Sequence, residues 1–319
     1  MKKLITLGLT LLLGITLSTS LAQDYPTKPI NVTVGWSAGG GVDTFTRIVA
    51  KYAPEYLGTD LVVTNKEGSG GEVALNGLVR GKADGYTLAA AMIPSLIYQP
   101  ELRREGIDGY RTDDLIQLGT PVLVPSALHV PVDSPFQTLD DLITYAKENP
   151  GALIVGMTGT QSGGHGLLLM LEREADIDIT EVPYKGGSAQ VKAVLGGEIE
   201  VLNTNAMHSV QYPDELRTLA VAGEERYALA PDVPTFQEQG YDIVDYVSRG
   251  LVAPAGTPDE AVRTLREGFA AMAQDPEFQA DLAEAGLALD YRNAEEMQTL
   301  ISDFQSEQAW IFELFNAEQ

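Results

Sequence analysis

Glycine-rich loops that come directly after short apolar runs are the feature that most constrains this chain. The apolar run 30–35 leads into the loop 37–41, which holds three successive glycines, and a helical pattern follows over 44–52. A second unit of the same kind spans 153–175. A strand that feeds a glycine loop at a helix N-terminus presents free backbone N–H groups to an anion. The two units therefore predict an anion-binding site that needs no catalytic side chain.

The N-terminus has the pattern of a secretory signal. Lys2 and Lys3 precede an apolar run over 4–17, and Ser20-Leu21-Ala22 resembles a cleavage site with small residues. We predict that residues 1–22 are a signal peptide, that the mature protein is exported to the periplasm, and that an uncleaved N-terminal anchor is the alternative. The chain has no cysteine, which excludes disulfides and thiolate chemistry. A Lys-Lys signal without cysteines is typical of a bacterial periplasmic protein.

The composition and charge of the chain limit the kinds of partner that it can bind. The chain has 319 residues, enough for two domains, and its 44% hydrophobic content excludes a disordered protein. The formal net charge is −24, which argues against nucleic acid and anionic membrane surfaces as partners. An anion site in such a chain must depend on local donors and helix N-termini, because the overall field repels anions.

The order of elements predicts an α/β fold of two lobes with mostly parallel sheets. Short apolar runs alternate with helical patterns along the chain. The chain is expected to leave the first lobe near 123–124 and to return near 249–254, and two such crossings form a hinge. We predict lobe 1 over 23–123 plus 249–319 and lobe 2 over 124–248, in the clamshell arrangement of a type II-like periplasmic binding protein.

Seven short motifs in register resemble the tripartite tricarboxylate transporter receptors, also called the Bug family. In order along the chain the motifs are Tyr25-Pro26-x-Lys28-Pro29-Ile30, Ala38-Gly39-Gly40-x-x-Asp43, Asn65-x-x-Gly68-x-Gly70-Gly71, Asp84-Gly85-Tyr86-Thr87-Leu88, Gly159-x-x-Ser162-x-x-His165, Val182-Pro183-Tyr184-Lys185-Gly186-Gly187 and Ala253-Pro254-Ala255-Gly256-Thr257-Pro258. The resemblance implies a periplasmic solute-binding protein that delivers carboxylates to a membrane permease with one large and one small subunit. It also implies that the protein is not an enzyme.

The resemblance supplies a set of ligand-binding residues. They come from the first glycine loop, from the loop that carries His165, and from a third loop in lobe 2. The set is Ser37, Ala38, Gly39, Gly40, Asp43, Thr158, Gly159, Gln161, Ser162, His165, Tyr184, Lys185 and Gly186. Trp36 joins it as an aromatic that stacks on a ligand, with packing in the lobe as the alternative. Lys185 is expected either to pair with a distal carboxylate or to remain an exposed loop lysine.

Several residues have competing interpretations. Asp43 either orients the glycine loop or stabilises the first helix as a capping acid, and capping is favoured because a bare carboxylate repels an anion. Ser162 and His165 suggest a nucleophile and its base, but their spacing does not match the nucleophile elbow, which favours a hydroxyl donor and a helix-start histidine. Arg249 either braces the hinge or reaches the cleft.

The remaining predictions concern cofactors and partners. Three scattered histidines without ligand spacing argue against a metal site, and no cofactor is expected. The expected partners are a small carboxylate and the permease subunits, and the protein is expected to be a monomer. Two rival functions stay open: a ligand-sensing module for a membrane kinase or chemoreceptor, and a periplasmic hydrolase of carboxylate esters.

Overall fold

The computed structural model describes residues 25–103, 108–119 and 122–317. The predicted signal peptide lies outside these ranges. Within them, no helix is long and apolar enough to cross a membrane.

The described strands form one sheet with a parallel group on each side. The strand order is β2-β1-β3-β10-β5-β8-β6-β7, with β4 paired to β10 and β9 paired to β5. The strands are β1 (Ile30–Val34), β2 (Leu61–Asn65), β3 (Thr87–Ile93), β4 (Leu115–Gln117), β5 (Val122–Pro131), β6 (Ile154–Met157), β7 (Thr180–Pro183), β8 (Val201–Asn205), β9 (Leu216–Val221) and β10 (Tyr246–Pro254). Every antiparallel ladder involves β5 or β10, and the other ladders are parallel. The predicted two-lobe α/β fold is confirmed.

Helices connect the strands and cover the sheet. They are α1 (Gly41–Leu57), α2 (Glu72–Val79), α3 (Ser95–Glu101), α4 (Leu139–Glu148), α5 (Gly163–Ala175), α6 (Gly187–Leu195), α7 (Met207–Gln211), α8 (Asp259–Met272), α9 (Pro276–Glu284), α10 (Ala294–Glu307) and α11 (Ala309–Ala317). Three single 3₁₀ turns lie at Ser69–Gly71, Thr112–Asp114 and Gln237–Gln239.

Alternating burial sets the position of the first glycine loop. In β1, Ile30, Val32 and Val34 are buried and belong to the same apolar cluster as Phe45 and Val49 of α1. Side chains that alternate along a strand leave one face for the core, and apolar residues four apart give α1 one matching face. β1 and α1 are thereby packed in a fixed relation, and the loop between them is held at the carboxyl end of β1.

Three elements differ from the sequence prediction. The apolar pattern over 117–124 predicts a single strand, but the structure has two strands there, β4 and β5. The return segment at 249–254 is part of the long strand β10. The helical pattern over 294–315 predicts one C-terminal helix, but that helix ends at Glu307 and a second begins at Ala309. The break allows the two pieces to contact different elements, because α10 packs near β4 whereas α11 packs against α5.

The central strands β5 and β10 carry the chain between the two parallel groups. They pair with each other from Tyr246 opposite Pro125 to Arg249 opposite Val122. Each also continues into one group, β10 beside β3 and β5 beside β8. This arrangement brings the carboxyl ends of β1, β6 and β7 to the same cleft, where ligands bind in open α/β sheets.

Candidate functional site

A cleft of about 730 Å³ opens between the two parallel groups. Its walls are loops at the carboxyl ends of four parallel strands together with the first turns of α6. The lining residues are Ser37, Ala38, Glu67, Gly68, Ser69, Gly70, Thr158, Gly159, Thr160, Pro183, Tyr184, Lys185, Ser188, Ala189 and Lys192. We call this space the outer cleft.

The loop after β1 contributes Ser37 and Ala38 to the outer cleft. The Gly40 N–H donates to the Ser37 carbonyl at 3.1 Å, and Gly39 has a φ of +75°, a conformation that favours glycine. Helix α1 then begins with Gly40 as its N-cap, and no side chain caps it. The N-cap position of α1 therefore carries no side-chain acceptor, and the positive end of the helix dipole lies at this loop.

Asp43 holds the first glycine loop rather than lining the outer cleft. Its carboxylate accepts hydrogen bonds from the Gly39 N–H at 2.8 Å, from Asn65 Nδ2 at 2.9 Å and from Arg47 Nε at 2.9 Å. Burial raises the pKa of Asp43, but the hydrogen bonds from Arg47, Gly39 and Asn65 outweigh it and hold the pKa below its ordinary value. The geometry combines both predicted roles, because the acid lies in the first turn of α1 and also orients the loop.

The loop after β6 presents Thr158, Gly159 and Thr160 to the outer cleft. Ser162 lies behind them as the N-cap of α5, where its Oγ donates to the Gly159 carbonyl at 2.9 Å and accepts from the His165 N–H. A Ser, Thr, Asp or Asn at this position satisfies a backbone donor of the first turn. Ser162 therefore has a structural role at the base of the loop.

His165 is fixed by two neighbours of its ring. Its Nδ1 accepts from the Gln161 N–H at 3.1 Å, so the ring proton lies on Nε2, which is 2.9 Å from Glu181 Oε2. The ring also packs on Phe315 of α11. Neither ring nitrogen is directed at Ser162 Oγ in these contacts. The arrangement favours loop support over the paired nucleophile and base that a hydrolase needs.

The loop after β7 and the start of α6 supply the positively charged side of the outer cleft. Lys185 is largely exposed, and Lys192 projects from the same helix face as Ser188, one turn away. Burial raises the pKa of Tyr184, so its hydroxyl remains protonated and can donate or accept. Two lysines against one acid, Glu67, make the lining locally positive in a strongly negative chain.

The two sides of the outer cleft touch each other in this structure. Ser188 Oγ lies 3.0 Å from Ser37 Oγ and donates to the Ala38 carbonyl at 3.1 Å. Lys185 Nζ lies 3.9 Å from Glu67 Oε2. These contacts join residues of the β1 and β2 loops to residues of the β7 loop and α6, so the two sides of the outer cleft are in direct contact.

A second, smaller space of about 40 Å³ lies next to the outer cleft, and we call it the inner cavity. It shares Thr158 with the outer cleft and is built mainly from buried residues of α1, β8, β10 and the start of α6. The lining residues are Trp36, Gly40, Gly41, Val42, Met92, Thr158, Gly186, Gly187, Thr204, Asn205, His208 and Arg249.

The predicted site residues divide into three groups. Six line the outer cleft: Ser37, Ala38, Thr158, Gly159, Tyr184 and Lys185. Trp36, Gly40 and Gly186 line the inner cavity instead, where Trp36 is buried against Gly71 and belongs to the main apolar cluster. Gly39, Asp43, Gln161, Ser162 and His165 line neither space and support the loops that do.

Several lining residues were absent from the prediction. Ser188 and Lys192 lie one helical turn apart on α6, a spacing that the sequence contains but that no motif marks. The loop 67–70 was recognised as glycine-rich without being placed in the site. No group of three metal-ligating side chains occurs in the part of the chain that the structure describes.

Comparison with known proteins finds similar sequences and similar folds. The model of the tripartite tricarboxylate transporter family receptor matches residues 45–316. The "UPF0065 protein in gbd 5'region" of Cupriavidus necator is 33% identical over 278 residues, which cover 86% of this chain and 84% of that protein. The periplasmic binding protein BugD superposes with a TM-score of 0.84 at 26% identity, over 92% of this chain and 99% of BugD.

A further solved structure is that of R. palustris Rpa4515 with adipate, which has a TM-score of 0.85 at 26% identity and covers 92% of this chain and 99% of Rpa4515. The family match extends over most of the chain. It begins within α1, so it includes the second strand–glycine loop–helix unit whole, whereas β1 and the first glycine loop precede it. The chain therefore belongs to the tripartite tricarboxylate transporter receptor family.

Proposed function

We propose that this protein is a periplasmic receptor that captures a small carboxylate in the outer cleft and delivers it to a tripartite tricarboxylate-type permease. The observation that carries the proposal is the convergence of helix starts and lysines on one cleft. The loops before α1, α5 and α6 all contribute to its walls, together with Lys185 and Lys192. Such an arrangement binds an anion by backbone N–H groups and local charge.

Capture follows from closure of the two lobes, for which we keep the predicted bounds 23–123 plus 249–319 and 124–248. A ligand that contacts the β1 loop on one side and α6 on the other binds the closed form better than the open form. It therefore shifts the population toward closure by its difference in affinity. The contacts of Ser188 with Ser37 and Ala38 join the same two sides and add to that preference.

The predicted ligand set acquires distinct roles within this proposal. Ser37, Thr158 and Tyr184 offer hydroxyl groups, and the loops around Ala38 and Gly159 offer backbone groups. Lys185 and Lys192 are available to pair with a ligand carboxylate, and Lys185 Nζ lies 3.9 Å from the acid Glu67. Adipate in the relative Rpa4515 supports a dicarboxylate as the first class of ligand to test.

The test is a thermal-shift screen of the mature protein, unfolded and refolded to remove bound ligand, against mono-, di-, tri- and aromatic carboxylates. A ligand at about 100 times its Kd stabilises the folded state by about 2.7 kcal/mol. The double variant Lys185→Gln with Lys192→Gln should lose most of the shift. Lys147→Gln, an exposed lysine on α4 outside both spaces, is the control and should retain it.

Two outcomes would contradict the proposal. If no carboxylate raises the melting temperature, carboxylates are not the ligand class of this protein. A full shift in the double-lysine variant would show that the ligand binds away from the outer cleft. Delivery to a permease needs a separate measurement, namely carboxylate uptake by cells that lack this receptor, with and without its gene restored.

A further inference from the structure

A buried glutamine behind the outer cleft holds the hydroxyl of Thr158. Gln190 of α6 is fully buried, whereas Thr158 is half-buried and lines the outer cleft. One end of the Gln190 amide lies 2.6 Å from Thr158 Oγ1 and 3.2 Å from the Thr158 backbone nitrogen. The other end lies 2.9 Å from the Asn203 carbonyl oxygen and 3.0 Å from the Gly156 carbonyl oxygen.

These four neighbours permit one orientation of the Gln190 amide. A carbonyl oxygen only accepts and a backbone N–H only donates, so the amide nitrogen faces Asn203 and Gly156 while Oε1 faces Thr158. Because Oε1 has no proton, the Thr158 hydroxyl is the donor in the 2.6 Å contact. A hydroxyl has one proton and two lone pairs. The proton of Thr158 is thus used within the protein, and its Oγ1 can offer a ligand only an acceptor.

A second hydroxyl of the outer cleft uses its proton in the same way. Ser188 Oγ donates to the Ala38 carbonyl at 3.1 Å, which uses the single proton of that serine. In the 3.0 Å contact between the two serine hydroxyls, Ser37 Oγ is therefore the donor and Ser188 Oγ the acceptor. The cleft that carries lysines and backbone N–H groups for an anion thus also presents hydroxyl oxygens that can only accept.

We propose that the outer cleft selects a dicarboxylate with a hydroxyl or ammonium donor on the carbon next to a carboxylate, read by Thr158 Oγ1. Gln190 is the positioning residue that fixes this acceptor. The inference rests on the proposed function, in which the loop around Gly159 binds a carboxylate, so a donor for the neighbouring Thr158 belongs on the adjacent carbon. Lys185 and Lys192 remain for the second carboxylate. An unsubstituted dicarboxylate presents only acceptors at neutral pH and would leave Thr158 Oγ1 desolvated without a partner, which lowers affinity.

The test is calorimetric titration of refolded, ligand-free protein with matched ligands that differ at one carbon. Succinate, glutarate and adipate are compared with each enantiomer of their 2-hydroxy and 2-amino analogues. At least one substituted ligand should bind about 10-fold more tightly than its parent, because it gives an otherwise unpaired acceptor a hydrogen bond. The 2-hydroxy and 2-amino series decide between hydroxyl and ammonium. The ether 2-methoxysuccinate keeps the oxygen without the donor and should bind no more tightly than succinate.

Variants of the two residues test how the donor is read. Thr158→Val keeps the side-chain shape without the hydroxyl and should abolish the preference for the substituted ligand, whereas Thr158→Ser should retain it. Gln190→Met releases the Thr158 proton, so the unsubstituted ligand should gain relative to the substituted one. Each readout is a ratio of two affinities of the same variant, which a general structural loss does not change. The control Thr299→Val, at an exposed threonine of α10 that lines neither space, should keep the wild-type ratio.

Three outcomes would overturn the inference. Equal or weaker binding of every substituted ligand would do so and leave the proposed function intact, because carboxylate capture would still be observed. A preference that survives Thr158→Val would show that another group reads the donor. Binding of other carboxylates without any of these dicarboxylates would contradict the ligand class inferred here and not the receptor function, whereas a protein that binds no carboxylate would contradict both.

A crystal structure of the wild type with the tightest substituted ligand decides the matter if the variants do not fold. The expected result is a ligand hydroxyl or ammonium about 3 Å from Thr158 Oγ1. A donor that contacts other groups and leaves Thr158 Oγ1 without a ligand contact would contradict the inference.

Discussion

Asp43→Asn should destabilise the protein by about 2 kcal/mol, because the buried carboxylate of Asp43 ties the first glycine loop to α1 and β2. The carboxylate accepts from Gly39, Asn65 and Arg47. An asparagine of the same shape keeps one acceptor oxygen and places an amide against the other donors. One lost charge-assisted hydrogen bond costs about 1.5 kcal/mol, and the half-exposed Arg47 pair adds about 0.5 kcal/mol.

Thermal denaturation followed by circular dichroism measures this loss. About 2 kcal/mol corresponds to a fall in Tm of about 4 °C for a chain of this size. Asp133→Asn, an exposed acid on the turn after β5, is the matched control and should change stability by less than about 0.5 kcal/mol. If Asp43→Asn has the same melting temperature as the wild type, the carboxylate does not anchor the loop and the reasoning from its hydrogen bonds is wrong.

The same variant has a pH dependence with a definite sign. The pKa of Asp43 is below its ordinary value of 3.8 in the folded protein. Its stabilisation is therefore complete above the unfolded pKa and is lost as the pH falls through the folded pKa. The gap between wild type and Asp43→Asn should be constant from pH 5 to 8 and should narrow below about pH 4. A gap that widens in acid would contradict the assignment.

Three further predictions follow from individual contacts. Gly71→Ala should destabilise the protein by more than about 2 kcal/mol, because Gly71 has a φ of +98° and the added Cβ would lie 2.5 Å from the Trp36 ring. Gly58→Ala, with a φ of +69° and open space, should cost only about 1 kcal/mol, and equal urea midpoints for the two variants would refute the steric argument. Ser188→Ala should weaken carboxylate binding, measured by calorimetry, by about 10-fold, because it removes contacts to Ser37 and Ala38 that together contribute about 1.4 kcal/mol. The control Ser306→Ala, at an exposed serine, should leave the affinity unchanged. Burial raises the folded pKa of Asp245 to about 7, so the stability of the wild type should fall as the pH rises from about 4 to about 7. Relative to the wild type, Asp245→Asn should become more stable by about 3 kcal/mol between pH 5 and pH 8, and a pH-independent difference would show that the carboxyl is not buried as described.

The parts of the fold that follow local rules were predictable from the sequence. Strand β1, its glycine loop and α1 are specified by alternating burial, by glycines at the turn and by an amphipathic helix. All three occur in that order, and α1 spans Gly41–Leu57, beyond the predicted 44–52 at both ends. Strand β10 was missed as a strand because Ser248, Arg249 and Gly250 interrupt its apolar run. Its place between β3 and β5 is decided by tertiary pairing, which no local pattern encodes.

The site was predictable at the level of loops but not of individual side chains. The sequence motifs identify the β1, β6 and β7 loops that surround the outer cleft. Whether a loop residue faces the cleft or supports it depends on its backbone angles and partners, as with His165, whose ring is held by Gln161 and Glu181. The burial of Arg249 depends on a close approach to Gly41 from a distant segment.

The most direct test of the account is a crystal structure of the refolded protein with the best carboxylate from the screen. The account predicts ligand density in the outer cleft, with one carboxylate within hydrogen-bond distance of the loops at Ser37–Ala38 and Thr158–Thr160 and with Lys185 or Lys192 beside it. Stoichiometric binding in solution together with an empty outer cleft, or ligand density at another surface, would contradict the central claim.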